Sequence, residues 1–406
     1  MRTRRATLKA LGAATIAGLA GCTGGNGGDG GDGGSGGGSD DTATETSGSD
    51  GTATGTATSS DGGSGSEQDT VTAAYVYNES VTDLGWVHTH EVAREALEEK
   101  YDWYETRVVE DVTVSEAEST FADLANQDVD VVEAATFGYG EPAGKVVAEN
   151  DIYIESPRMA PVGNYDGPNL GYYLGRLEEA CYAVGIAAGM LTESNTLGYV
   201  NSFPIPSVTA ELNALVLGAK SVNPDITMKV RYVNSWFDPP KERDAANALM
   251  DEGADVMGYR VSNPATIQAA AERDVWSYGY ADGFSGTEIA YDKYITSRMW
   301  NWEPFFDATA KWARKGQPGA KERFNLDTIR GNYFGFEEGG IQLDEFGSAV
   351  PSDVQSEVTG AVDALASGDM GGSDMFAGTE FADMSAYERS TQTGSYVDGI
   401  EGELPS

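Results

Sequence analysis

From Val71 onward, short runs of β-branched and aromatic residues alternate with longer stretches in which apolar positions recur every three to four residues. The first pattern predicts buried strands and the second predicts amphipathic helices. The predicted strands are Val71–Val76, Trp103–Val109, Val129–Ala134, Asp151–Ile154, Thr196–Val200, Met228–Val233, Asp255–Gly258 and Val275–Tyr278. The predicted helices are Gly85–Lys100, Ser115–Asn126, Gly140–Asn150, Glu178–Leu191, Ser207–Ser221, Pro239–Glu252 and Pro264–Arg273.

This alternation predicts an α/β fold in which parallel sheets are covered by helices on both faces. It occurs in two blocks, each leading to a strand rich in Asp and Val, at Gln127–Val132 and at Gly253–Met257. The repeat predicts two similar doubly wound lobes with a cleft between them. We expect the first lobe over about residues 70–173 plus a later segment, and the second over about residues 176–280 plus C-terminal crossovers.

The chain is expected to pass between the lobes more than once. The first passage is predicted near Tyr172–Arg176, because the helix that follows it separates the two blocks. Further helix and strand signals after Asp282–Tyr291 predict another passage. The stretch from Ser352 predicts a final helix, and Gly371 and the residues after it are predicted to form a loop.

The first 21 residues predict an export signal. The pair Arg4 and Arg5 resembles a twin-arginine signal, and the apolar run Ala10–Ala20 is too short to span a membrane. Residues 19–22 resemble a lipobox, which predicts that a lipid is attached to Cys22 and that the protein is held at the outer face of the cell membrane. The alternative is a buried core helix with a chance cysteine.

Residues 22–69 are mostly Gly, Ser, Thr and Asp, with too few apolar residues to form a core. They predict a disordered tether with an r.m.s. span of about 40 Å. The formal net charge of the whole chain is -39, which disfavours nucleic acid and anionic lipid as partners and is typical of the acidic surface of halophilic proteins. Besides Cys22 the chain has only Cys181, which lies in an apolar stretch and is expected to be a small buried residue.

The segments that follow the predicted strands are rich in aromatic residues. In parallel sheets, ligands bind beyond the carboxyl ends of the strands, so these segments are expected to line the cleft. Aromatic walls with a few carboxylates and amides suit a flat polar ring, because stacking contributes about 1–3 kcal/mol per base. The segments are residues 83–90, 136–139, 201–204, 234–239, 259–264 and 280–283.

The first of these segments carries two open questions. Asp83 suits either a ligand contact or the N-cap of the helix beginning near Gly85. Trp86 and His90 are four residues apart and share one helix face, which lines either the cleft or the core. His88 and His90 are the only histidines, and a pair spaced by two without a third ligand does not predict a metal site.

The chain offers no pattern typical of an enzyme. Outside the Gly-rich segment that predicts a tether, it has no Gly-x-Ser-x-Gly turn and no P-loop, and no histidine lies near Cys181 in sequence. We therefore expect neither catalysis nor a cofactor.

Several motifs in both blocks resemble one family. The motifs are Asp83-x-Gly85-Trp86-x-x-x-His90, residues 136–139, residues 198–206, residues 217–224, residues 233–239 and residues 301–304. Through them, the chain from Val71 to about Phe346 is similar to the basic membrane protein family of substrate-binding lipoproteins, which includes the purine-nucleoside receptors of ABC importers.

The resemblance implies a type I periplasmic-binding fold, in which two lobes close on a ligand like a hinged clamp. It implies a purine nucleoside or nucleobase as ligand, an ABC permease and ATPase complex as partner, and a monomer. Carried over by position, the first lobe's wall comprises Asp83, Trp86, Phe137 and Tyr139. The second lobe contributes Phe203, Trp236, Asn263 and Asp282, and Trp302 completes the set.

The sequence departs from this family at three positions. Asn263 stands in Ser-Asn-Pro where relatives often carry Asp-Ser-Pro, so a carboxylate is missing. Arg260 beside the cleft favours an anionic or carbonyl-rich ligand, and Trp300 replaces a smaller residue and would narrow the cleft. The alternatives to transport are a sensory receptor, a binding protein for another polar solute, and a surface nucleoside hydrolase.

Overall fold

The computed structural model describes residues 67–157, 169–316, 332–402 and 404. The predicted export signal, Cys22 and the predicted tether up to residue 66 lie outside these residues. The strands are β1 (Val71–Val76), β2 (Tyr104–Val109), β3 (Val131–Ala134), β4 (Tyr153–Pro157), β5 (Leu170–Gly175), β6 (Thr196–Asn201), β7 (Thr227–Tyr232), β8 (Val256–Arg260), β9 (Trp276–Ala281), β10 (Tyr294–Trp300), β11 (Asn332–Phe334), β12 (Ile341–Leu343) and β13 (Ile400–Gly402).

The helices follow the strands in the order that the sequence predicts. They are α1 (Trp86–Lys100), α2 (Val114–Ala125), α3 (Gly140–Glu149), α4 (Leu177–Leu191), α5 (Pro206–Val222), α6 (Pro239–Asp251), α7 (Ala265–Glu272), α8 (Glu303–Arg314), α9 (Ser352–Ser367), α10 (Gly372–Met375) and α11 (Ala386–Gln392). A single 3₁₀ turn, Phe137–Tyr139, precedes α3. Among the residues that the structure describes, no helix is long and apolar enough to cross a membrane.

The described strands form two sheets, one in each lobe. The first has the order β11-β5-β4-β3-β1-β2 and is parallel throughout. The second has the order β12-β10-β9-β8-β6-β7-β13, and in it only β12 runs antiparallel to its neighbour. The predicted α/β architecture with two parallel sheets is confirmed.

Within the described residues the chain passes between the two sheets three times. It does so at Arg176, between β5 and α4, again between β10 and α8, and finally between β11 and β12. Gly175, the last residue of β5, lies close to Trp300, the last residue of β10, where the second passage begins. A Cβ at Gly175 would lie 2.6 Å from the ring of Trp300. The prediction of a first passage near Tyr172–Arg176, with more to follow, agrees with this topology.

Three parts of the sequence prediction differ from the structure. Leu170–Gly175 forms a buried strand where only a crossing segment was expected, and β10 was not predicted at all. The sequence of β10 does not show the apolar run of a buried strand, because it contains Arg298. This arginine is nevertheless fully buried, and it donates hydrogen bonds to Gly279 O and Tyr259 O. The loop predicted after Gly371 is also wrong, since α10, α11 and β13 lie there.

The second lobe is built around two helices in close contact. A Cβ at Gly185 of α4 would lie 2.1 Å from Leu215 O, and one at Gly218 of α5 would lie 2.0 Å from Tyr182 O. The missing side chains let the two backbones approach. Cys181 of α4 is fully buried, as expected, and burial raises the pKa of its thiol to about 12.

Candidate functional site

Two aromatic rings meet across the lobes at the carboxyl ends of the sheets. Phe137 follows β3 of the first lobe and Trp236 follows β7 of the second, and their ring centroids are 6.2 Å apart at an angle of 67°. Phe203, which follows β6, lies 5.1 Å from Trp236. The structure therefore brings together three of the residues that the sequence assigns to the cleft.

The start of α6 fixes the position of Trp236. Asp238 is the N-cap residue and accepts a hydrogen bond from the N–H of Lys241, and Pro239 begins the helix. The N–H of Ser262, from the loop after β8, donates to Trp236 O at 2.8 Å. Two backbone anchors thus hold a ring that is itself only partly buried.

A second interlobe contact joins Trp86 of α1 and Trp300 of β10, with centroids 5.7 Å apart. The indole N–H of Trp86 donates to Ala135 O at 2.5 Å, and that of Trp300 donates to the hydroxyl of Tyr280 at 3.0 Å. Both rings are therefore held by their own lobes and meet edge to face.

Trp302 supports these rings from the connection between β10 and α8. It stacks on Trp300 at 4.8 Å with an angle of 16°, and it also contacts Trp86 at 5.2 Å. It is fully buried, and its indole N–H donates to Thr89 Oγ1 at 2.9 Å. Its burial and its contacts with both rings suit a role in holding Trp86 and Trp300 in place.

Between the two interlobe contacts lies Arg260, the last residue of β8. Its Nε donates to Glu211 Oε2 on α5 at 2.7 Å, and both side chains are almost completely buried. The guanidinium lies 4.2 Å from the ring centroid of Tyr280 and 5.8 Å from those of Trp236 and Trp300. Glu211 offsets the charge of Arg260, so the pair presents a neutral group with hydrogen-bond donors.

The carboxylate of Asp282 bridges the two lobes. It follows β9 of the second lobe and accepts hydrogen bonds from the backbone N–H of Gly85 at 2.5 Å and from Nδ1 of His88 at 2.7 Å. The hydrogen bond to Asp282 raises the pKa of His88, and partial burial opposes this shift. A carboxylate is also favoured at this place because it lies at the N-terminus of α1.

The predicted N-cap role of Asp83 is wrong. The N-cap of α1 is Gly85, with a φ of +93°, and no side chain caps it. Gly85 is required because a Cβ there would lie 2.8 Å from Ser262 O in the other lobe. Asp83 instead lines a cavity of about 340 Å³ beside α1, together with His88, Asp282, Met299 and Trp300 among others.

Two further predicted residues lie away from the interlobe contacts. Tyr139 is fully buried in the first lobe, where its hydroxyl donates to Val112 O and its ring packs on Phe121 at 5.5 Å. Asn263 accepts a hydrogen bond from the N–H of Ala265 at 3.0 Å and so organises the start of α7. The open question about His90 is also answered, since it is fully buried and packs on Trp86 and Trp302 in the core.

Sequence reasoning missed Glu211 and Tyr280 as neighbours of Arg260. A signal for Glu211 was present, because it is a single carboxylate within the apolar stretch Val208–Val216 of α5, and a buried carboxylate needs a partner. In the part of the chain that the structure describes, no group of three or more His, Cys, Asp or Glu residues is placed to hold a metal ion.

The chain is similar to known proteins over most of its length. A model of the family described as ABC transporter substrate-binding protein PnrA-like matches residues 70–362. A putative ABC transporter glucose-binding protein of Haloferax volcanii is 41% identical over 340 residues, covering 84% of this chain and 83% of the relative. A purine-binding protein of Brucella abortus is 30% identical over 351 residues, covering 83% of this chain and 95% of the relative.

Among solved structures, an ABC transporter solute-binding protein from Conexibacter woesei aligns with a TM-score of 0.58. The alignment covers 74% of this chain and 98% of that one, at 22% identity. At this identity the likeness shows the fold alone, and it confirms the type I periplasmic-binding fold that the sequence predicts.

Proposed function

The chain belongs to the PnrA-like family of ABC transporter substrate-binding proteins, and from this premise we propose that it captures a purine nucleoside or nucleobase between its two lobes. The resemblance to the basic membrane protein family is confirmed. Proteins of this kind bind a small solute outside the cell and deliver it to a permease and ATPase complex, and they are not enzymes.

The aromatic contacts across the lobes carry the proposal. Phe137 contacts Trp236 across the lobes and Trp86 contacts Trp300, so a planar ligand that separates either pair of rings would stack on both lobes. Stacking on aromatic side chains contributes about 1–3 kcal/mol per base. The printed name of the Brucella abortus relative, a purine-binding protein, also supports the proposal.

Capture then needs no covalent step. The ligand favours the closed arrangement if it contacts both lobes at once, because it then binds the closed state better than the open one. The bridging carboxylate of Asp282 adds ligand-independent contacts to the same arrangement. We further propose that the receptor acts as a monomer, held at the outer face of the membrane by a lipid on Cys22 and a tether.

A sugar is the second candidate ligand. It is favoured by the name of the Haloferax volcanii relative, a putative glucose-binding protein that is 41% identical to this chain. Aromatic rings with adjacent carboxylates also suit the apolar face and the hydroxyl groups of a sugar. The ligand screen therefore includes glucose beside the purines.

Isothermal titration calorimetry tests the proposal. The sample is the full chain with the substitution Cys22→Ser, which prevents lipidation, in about 1 M KCl, where charge repulsion is screened. Adenosine, guanosine, inosine, adenine and hypoxanthine are titrated in turn, followed by glucose. We expect saturable binding of one ligand per chain for at least one purine. Binding of glucose with no heat from any purine would overturn the purine assignment and leave the receptor assignment in place.

A further inference from the structure

The side chain of Arg260 is held rigidly at the carboxyl edge of the second sheet. Glu211 accepts from Nε at 2.7 Å and lies 3.5 Å from Nη2, so its carboxylate takes one side of the guanidinium. The ring of Tyr280 lies 4.2 Å from the guanidinium carbon. Arg260 is only 2% exposed, so few alternative orientations are open to it.

The guanidinium of Arg260 lies close to the two rings on which the proposed ligand would stack. It lies 5.8 Å from the rings of both Trp236 and Trp300. Both rings belong to the second lobe and contact a ring of the first lobe: Trp236 contacts Phe137, and Trp300 contacts Trp86. A planar ligand that stacks on either ring therefore brings its edge within reach of Arg260.

The chemistry of the pair limits what that edge can be. A guanidinium has five N–H donors and no acceptor, and it is not deprotonated in proteins. Since Glu211 occupies one side, the donors of the remaining edge are available to a ligand acceptor. Because Glu211 also offsets the charge of Arg260, the pair favours an uncharged acceptor over an anion. Of the two kinds of ligand expected from the sequence, anionic or carbonyl-rich, the pair therefore favours the carbonyl-rich one.

We infer that Arg260 makes this site selective for 6-oxopurines, such as hypoxanthine, guanine and their nucleosides, over 6-aminopurines. The inference rests on the proposed purine function. A 6-oxopurine presents two adjacent acceptors, O6 and N7, to which an arginine binds in a bidentate manner. Adenine presents N7 beside an amino group, so one arginine donor then faces another donor.

Inosine and adenosine form the matched pair of ligands for the test, since they differ only in the oxygen or amino group at position 6. We expect the full Cys22→Ser chain to bind inosine about 5- to 150-fold more tightly than adenosine, the range for one bidentate arginine pair. Hypoxanthine and adenine repeat the comparison without ribose. Isothermal titration calorimetry measures all four affinities.

The variant Arg260→Gln with Glu211→Gln removes the guanidinium without leaving a buried carboxylate unpaired. We expect it to bind inosine about as weakly as adenosine, so that the ratio of the two affinities falls to about one. The control is Arg243→Gln with Glu272→Gln, which makes the same change in an ion pair between α6 and α7 with far more exposed side chains. This control is expected to keep the inosine preference.

The outcomes separate the two proposals. Equal affinities for inosine and adenosine, or a preference for adenosine, would overturn the role of Arg260 and leave the purine receptor standing. An inosine preference that persists in the Arg260→Gln and Glu211→Gln variant would also overturn it. If no purine binds at all, the proposed function fails and this inference fails with it. Should the double variant not fold, the ratio of the two affinities in the unmodified chain still decides the question.

Discussion

Trp236 takes part in the candidate site through its ring, because its backbone is held by α6 and by Ser262. Replacing it by leucine removes a stacking surface that contributes about 1–3 kcal/mol per base. We therefore predict that Trp236→Leu weakens binding of the best purine ligand by about 5- to 150-fold. Calorimetric titration measures this loss, and thermal unfolding should show little change because the ring is only partly buried.

Trp103→Leu is the matched control for this substitution. Trp103 precedes β2, at the edge of the first sheet opposite to the carboxyl ends, where it stacks on Tyr101 at 4.6 Å. Its loss should leave the ligand affinity unchanged. An equal loss of affinity in both variants would show that removing an aromatic residue weakens the receptor in general, and Trp236 would then have no special role.

Gly85 is constrained in two separate ways, by its backbone and by the neighbouring lobe. Its φ is +93°, and a Cβ would lie 2.8 Å from Ser262 O. We predict that Gly85→Ala lowers the free energy of unfolding by about 1–3 kcal/mol through backbone strain. Because Ser262 belongs to the other lobe, we expect the clash to oppose closure, so ligand affinity should also fall, by about tenfold or more.

Gly253→Ala separates these two effects. Gly253 has a similar φ of +99°, and a Cβ there would meet nothing within 4 Å. This variant should therefore unfold more easily but bind ligand with unchanged affinity, as thermal unfolding and calorimetry would show. If both variants lose affinity equally, the contact between Gly85 and Ser262 does not govern closure.

At the scale of elements, the N-terminus of α1 and the loop after β9 are joined by a hydrogen bond that depends on pH. The bond from His88 to Asp282 raises the pKa of His88, and the carboxylates of Asp83 and Glu91 act in the same direction, while burial opposes them. The stabilisation is fully present below the ordinary pKa of about 6.5 and is lost as the pH rises through the raised value.

We therefore predict that binding of an uncharged nucleoside is tighter at a pH near 6 than at a pH near 8.5. His88→Gln should abolish this dependence, as titrations across the range would measure. The other histidine, His90, is fully buried, and burial lowers its pKa to about 3, so it stays neutral over the range. A pH dependence that survives in His88→Gln would show that a different group is responsible.

Some elements and site residues could be predicted from the sequence and others could not. Strands with uniform apolar runs, such as β1, were predicted residue for residue, whereas β10 was missed because the buried Arg298 interrupts its pattern. The rule about carboxyl ends found Phe137 and Trp236, because it depends on topology alone. The same rule placed Tyr139 in the cleft, whereas this residue is fully buried in the first lobe. The rule does not give the direction of a side chain in a 3₁₀ turn, because that direction depends on packing. The pairing of Arg260 with Glu211 joins residues 49 positions apart and follows from how α5 packs on the sheet.

The whole molecule carries 65 acidic and 26 basic residues, so charge repulsion opposes its compact state. Salt screens this repulsion, and the Debye length falls from about 10 Å at 0.1 M to about 3 Å at 1 M. We predict that the melting temperature rises by several degrees between these two KCl concentrations and changes less beyond them. Thermal unfolding monitored by circular dichroism measures the midpoint at each concentration.

Sucrose provides the comparison that isolates charge as the cause. It is excluded from protein surfaces and strengthens burial, but it does not screen charges. At equal osmolality sucrose should therefore raise the melting temperature much less than KCl does. If the two solutes act equally, salt stabilises the protein through burial, and the excess of carboxylates serves solubility alone. If KCl acts more strongly, ligand affinity should also rise with salt, because closure brings acidic lobes together.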